Sequence, residues 1–124
     1  MPVPFAVMIG GAVGALARYG LDHLIERGVF SVFPWSTFAI NVSGCFAAGV
    51  VVAALVDHHH LSPAWRFGIV VGFLGAYTTF STFAQETVDL GETHNLVLAV
   101  VNAAASVAAG LVAVVAGTVV GRAL

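Results

Sequence analysis

The sequence predicts an all-α integral membrane protein of four transmembrane helices, the third of them broken. Three observations predict it. The 124 residues are 60% hydrophobic and 8% charged, against roughly 25% charged in soluble domains. The charges punctuate long neutral stretches: no Asp, Glu, Lys or Arg precedes Arg18, and none lies within 28–56, 67–85 or 93–121. The third observation is the run from Gly72 to Phe83, which packs two glycines and four Ser/Thr hydroxyls into one of those stretches. Glycine weakens a helix, and each hydroxyl at membrane depth needs a partner. Such a run reads as a helix interrupted near Gly75 to Thr78 and buried against protein, with freed carbonyls and phenylalanine edges available to an ion.

A bilayer core is spanned by about 20 apolar residues, which sets the four elements in one domain covering 1–124. The first helix covers about 4–26 and becomes amphipathic at its end. The second covers about 36–57, with Ser36 or Thr37 as its cap after Pro34. The third covers about 64–90. The fourth covers about 95–122. The linkers are short: Phe30 to Trp35, Asp57 to Ser62 and Gly91 to His94. Gly10 and Gly14, Gly68 and Gly72, and Gly117 and Gly121 recur four apart, so each pair forms a small face that lets backbones approach closely. These faces serve either packing within the chain or a contact between subunits.

Four helices place both termini and the histidine-containing linker on one side, with Arg66 and Arg122. Arg18 and Arg27 fall on the other. The two-against-two balance predicts that the chain inserts both ways, which permits an antiparallel dimer. Four Arg and no Lys exclude a basic stripe, hence a nucleic-acid partner. Cys45 lies in an apolar run and reads as a small packing residue. No basic region and no obvious cleavage site accompany the first apolar run, so it reads as a retained helix. No nucleophile with an orienting base can be placed, and no phosphate loop occurs, so an enzyme is not expected.

The candidate site residues are uncharged. Thr37 and Asn41 are four apart and share a helix face; the Asn amide either bonds a neighbouring helix or lines an anion path. Ser43 lies elsewhere on that helix. Phe80 and Phe83 are three apart, and their positive ring edges can face an anion without formal charge, the alternative being lipid or core contact. Ser81 and Thr82 add donors beside them. Asn102 and Ser106 form a polar track that Gly110 continues, serving either an ion or helix-to-helix contact. Arg18 reads as a vestibule charge, a carboxylate partner or a snorkelling side chain. Glu86 could carry a proton, but one turn after Phe83 and beside Asp89 it reads rather as a membrane-edge carboxylate. His58, His59 and His60 are consecutive on a short linker and converge poorly on one metal.

Three pieces resemble the Fluc fluoride channel family, also called CrcB: Gly10-Gly11 through Gly14 to Arg18-Tyr19, Thr37 through Asn41-Val42-Ser43-Gly44, and Gly72-Phe73-Leu74-Gly75 through Thr78-Thr79-Phe80-Ser81-Thr82-Phe83. The resemblance covers essentially the whole chain, and the third piece is the specific one. It implies a dual-topology antiparallel homodimer in the cell inner (plasma) membrane, with two pores that export fluoride. It implies that Phe80, Phe83 and Asn41 line the fluoride path, with Ser106 on the polar track. It also implies that the carbonyls of Gly75 and Thr78 from both subunits hold a central structural sodium ion. The chain departs from that pattern with Asn102, where many relatives carry tyrosine, and Gly110, where some carry serine. Modest neutral donors suit a tightly hydrated anion that must also leave, and carbonyl oxygens suit a hard cation. The competing readings are a proton-coupled exporter of the small multidrug resistance type and a structural subunit of a larger assembly. The first relies on an acid deep in its first helix, and positions 1–21 contain none.

Overall fold

In the computed structural model, residues 1–57 and 61–124 are described; the predicted histidine tract His58 to His60 lies outside them. Helix α1 is Val3–Gly28 and α2 is Trp35–Asp57. Helix α3 runs through Pro63–Phe67, a π-helical stretch Gly68–Leu74 and a last turn Gly75–Tyr77. After a gap at Thr78 and Thr79 comes α4, Phe80–Asp89, which continues as π-helix through Leu90–His94. Helix α5 is Leu96–Ala123. Among the described residues, four spans, with α3 and α4 forming the third, are long and apolar enough to cross a membrane.

Two tight seams hold the bundle: α1 packs on α3, and α2 on α5. The glycines explain the pairing. A Cβ at Gly10 would run into the Gly68 carbonyl oxygen, and one at Gly14 into that of Phe73; one at Gly72 would stand 2.7 Å from the Val7 oxygen. On the other seam, a Cβ at Gly117 would strike the Phe46 carbonyl and one at Gly121 that of Val50. The recurring small faces thus pack within the chain. Backbones this close leave no room for a methyl group, so Gly117→Ala is expected to lower stability by about 1–3 kcal/mol, as overpacking does. Thermal unfolding in detergent checks this, with Gly20→Ala as the control: nothing lies within 4 Å of a Cβ there, and alanine favours helix.

Three boundaries differ from the sequence expectation. Ser36 and Thr37 do not cap α2. They are buried inside it, where the Ser36 hydroxyl donates to Asp22 and that of Thr37 to Glu86. The stretch Gly91 to His94 is helix rather than linker, because Thr93 Oγ1 donates back to the Asp89 carbonyl at 2.7 Å and Asn95 N–H to that of Leu90 at 2.8 Å. Asn95 caps α5, its Oδ1 accepting from Val97 N–H at 2.7 Å. The third difference is the position of the break.

Candidate ion pathway

The interruption in the third span falls at Thr78 and Thr79, not at Gly75. Gly75 is helical, with φ −64° and ψ −33°. Thr78 (φ −81°, ψ 157°) and Thr79 (φ −148°, ψ 111°) are extended, a backbone that β-branched residues accept readily. Extended residues inside a span leave backbone groups unpaired, and Asn41 of α2 satisfies two of them. Its Nδ2 donates to the Thr79 carbonyl at 2.9 Å, and its Oδ1 accepts the Thr79 N–H at 2.8 Å. The side-chain amide thus pairs with one residue's backbone as a neighbouring strand would. Thr79 Oγ1 then caps α4 by accepting from Thr82 N–H at 3.3 Å, and donates to Thr82 Oγ1 at 3.0 Å.

This arrangement frees a carbonyl. In an unbroken helix the Thr79 N–H would serve the Gly75 oxygen; here it goes to Asn41 instead. Thr78 N–H and Oγ1 both donate to the Leu74 carbonyl, at 3.1 and 3.0 Å. Helix α2 supports the break at two further points. Ser43 Oγ lies 2.8 Å from the Tyr77 hydroxyl, and Gly44 admits the Thr78 methyl group, which a Cβ there would strike.

A groove of about 440 Å³ runs beside the break, bordered by Asn41, Gly75, Thr78, Phe80, Phe83 and Ser106. The structure therefore brings together six of the ten sequence-predicted site residues, drawn from α2, both halves of the third span and α5. The two rings lie 5.7 Å apart at 48°. Phe80 is 79% exposed, so the groove is open at that ring. Arg18, Thr37 and Thr82 border a separate cleft of about 280 Å³ with Asp22 and Ile40. Thr79 borders both spaces and is the residue at which they meet. Ser81 borders neither; it is exposed, and its Oγ lies 3.4 Å from Thr79 Oγ1. Thr37 is 4% exposed and donates to Glu86 Oε1 at 2.9 Å, so its hydroxyl proton is already engaged.

The polar track on α5 divides. Asn102 is 1% exposed and turns toward α4, where its Nδ2 donates to Thr87 Oγ1 at 2.8 Å. Ser106 faces the groove and donates to Asn102 Oδ1 at 3.3 Å. Gly110 is buried against Cys45, whose sulfur would lie 3.4 Å from a Cβ at that position. Of the three, Asn102 and Gly110 join helices and Ser106 borders the groove.

Sequence reasoning missed Thr79, the hinge of the whole arrangement. Its signal was present as a hydroxyl three residues before Thr82 at the start of a helical run, the pattern of an N-cap. Cys45 was read only as packing and also borders the groove. The Ser43–Tyr77 contact carried no sequence signal, since it joins residues far apart in the chain.

Residues 5–118 match the family described as CrcB-like protein, Camphor Resistance (CrcB). The chain belongs to the CrcB family. Curated CrcB relatives align along nearly all of it. One from Acidobacterium capsulatum is 48% identical over 116 residues, covering 94% of this chain and 93% of the relative. One from Geobacter sulfurreducens is 41% identical over 128 residues and covers both chains completely. One from Solibacter usitatus is 40% identical over 116 residues, with 94% and 95% covered. Each of the three carries the name Fluoride-specific ion channel FluC. Membership of CrcB and four apolar spans make this chain a multi-pass membrane protein.

Proposed function

We propose that the chain is a fluoride-selective channel of the plasma membrane, which lets cytoplasmic fluoride leave passively and so limits its toxicity. It is a channel, not an enzyme. One observation carries this reading: the groove at the break brings the Asn41 amide, Ser106 and the rings of Phe80 and Phe83 together, with no charged side chain among its described bordering residues. A halide in such a groove would meet ring edges and the second amide proton of Asn41, which replace part of its hydration shell. A guanidinium in the same position would hold the anion too strongly for it to leave. Arg18, in the adjoining cleft, attracts anions toward Thr79 without standing in the groove.

The working unit is an antiparallel homodimer. The open groove and the exposed Phe80 are completed by a second copy, and the balanced arginines permit opposite insertion. Two copies give two pathways related by a twofold axis. The donor chemistry fits a structural sodium ion at the contact. Gly75 presents a carbonyl deprived of its helical donor, Thr78 adds a second oxygen, and neutral oxygens suit a hard cation. Gly75 and Thr78 of each subunit would hold it, where it supplies a fixed positive charge that ties the two breaks together. Replacing sodium with a bulky organic cation is then expected to lower the thermal stability of the dimer, read by unfolding in detergent.

Ion efflux from liposomes containing the purified protein tests the function. Fast fluoride efflux, chloride retention and no dependence on a proton gradient are expected. Saturable, pH-driven efflux of organic cations would instead establish the proton-coupled exporter, and no transport at all would leave a structural subunit.

A further inference from the structure

The hydrogen bonds linking α4 to α5 have directions that can be deduced one after another. The Phe83 carbonyl oxygen only accepts, so the Thr87 hydroxyl donates to it, across 2.7 Å. That hydroxyl has no second proton. Toward Asn102 it therefore accepts, and the amide must present Nδ2 to it, at 2.8 Å. The amide orientation is thereby fixed by its surroundings, and Oδ1 faces Ser106. Oδ1 only accepts, so the single Ser106 proton points at Asn102, over 3.3 Å. The groove consequently meets the lone pairs of Ser106, not its proton. A lone pair repels a halide. Before Ser106 can donate to an anion, it has to turn away from Asn102 and break that long bond.

We propose that Asn102 is a positioning residue that sets anion affinity in the groove by competing for the Ser106 proton. This rests on the fluoride-channel reading. Asn102 is almost completely buried and does not border the groove, so it acts only through Ser106. The competition keeps the Ser106 site weak, which favours release over capture. Thr87 belongs to the same device: it anchors Nδ2 and so stops the amide from flipping.

Two substitutions release the Ser106 proton by different routes. Asn102→Leu removes the acceptor. Thr87→Val, nearly isosteric, removes the anchor, so the amide can rotate and donate Nδ2–H to Ser106 Oγ. In liposome efflux at graded fluoride, both variants are expected to lower the half-saturating concentration by about fivefold, the worth of one net hydrogen bond, and to lower maximal flux as release slows. Thr87→Ser keeps the anchor and matches the wild type. Combined with Ser106→Ala, neither substitution shifts the midpoint from that of Ser106→Ala alone. Fluoride-dependent thermal stabilisation of the same proteins gives the midpoint where flux is too small to follow. A poorly folded Asn102→Leu protein leaves Thr87→Val to decide. An unshifted midpoint in Thr87→Val, or a shift that persists without the Ser106 hydroxyl, overturns the inference while wild-type fluoride flux upholds the channel reading. Absence of fluoride flux in the wild type removes both.

Discussion

Asn41→Asp is expected to abolish fluoride conduction, with efflux from liposomes falling by more than about a hundredfold. The reason lies in the paired contact with Thr79. Asn41 offers one donor and one acceptor to the backbone at the break. An aspartate keeps the acceptor for the Thr79 N–H but turns a second anionic oxygen toward the Thr79 carbonyl. Two oxygens then face each other in place of a hydrogen bond, and a negative charge stands beside the proposed anion path. An unsatisfied buried group costs about 1–3 kcal/mol, and more when it is charged; at about 1.4 kcal/mol per tenfold, a penalty of some 3 kcal/mol exceeds a hundredfold in rate. Efflux near the wild-type level in Asn41→Asp would show that the amide neither holds the break nor borders the path.

Phe80→Ile is expected to lower fluoride flux by about tenfold or more with the protein still folded. The ring is 79% exposed in the single chain, so removing it leaves little cavity and costs the fold little. Its loss removes the positive edge while keeping an apolar side chain of similar reach. The aromatic contribution beyond area is about 0.5–1.5 kcal/mol, and at about 1.4 kcal/mol per tenfold its upper end gives the expected drop. Size-exclusion profile and unfolding temperature should stay near those of the wild type while efflux falls. Undiminished flux would take the ring off the pathway.

The four spans were legible because charge marks their ends, and charge cannot sit cheaply in a bilayer core. Six of the residues read as site candidates, Asn41, Phe80, Phe83, Ser106, Gly75 and Thr78, border one groove together. The position of the break was legible in part: it takes in Thr78, the end of the expected stretch, and runs on into Thr79. Glycine looked like the weak point, yet Gly68 and Gly72 are used for close approach to α1, and Gly75 stays helical. The break comes where a distant amide offers the backbone better partners than the helix does. A local reading of propensity cannot detect that contest, because Asn41 and Thr79 stand 38 positions apart.

The α2 cap was misread for the same reason. Ser36 and Thr37 have the look of a cap after Pro34, but their partners Asp22 and Glu86 lie on other helices. Thr37 and Thr82 border the Arg18 cleft instead of the groove. Periodicity gives the face of a helix and leaves open which neighbour that face meets. On α5, Asn102 and Ser106 occupy one face, yet a single turn separates a buried helix contact from a groove-facing hydroxyl.

The proposed ion path requires a membrane span interrupted at Thr78 and Thr79 and held open by Asn41. Determining the structure of the purified protein in sodium and fluoride tests this most directly. The predicted result is two antiparallel copies, each with Asn41 paired to the Thr79 backbone, a cation among the Gly75 and Thr78 carbonyls at the contact, and fluoride against the edges of Phe80 and Phe83. A third span running unbroken through Thr79, with those rings turned to lipid and no ion at the contact, would contradict it.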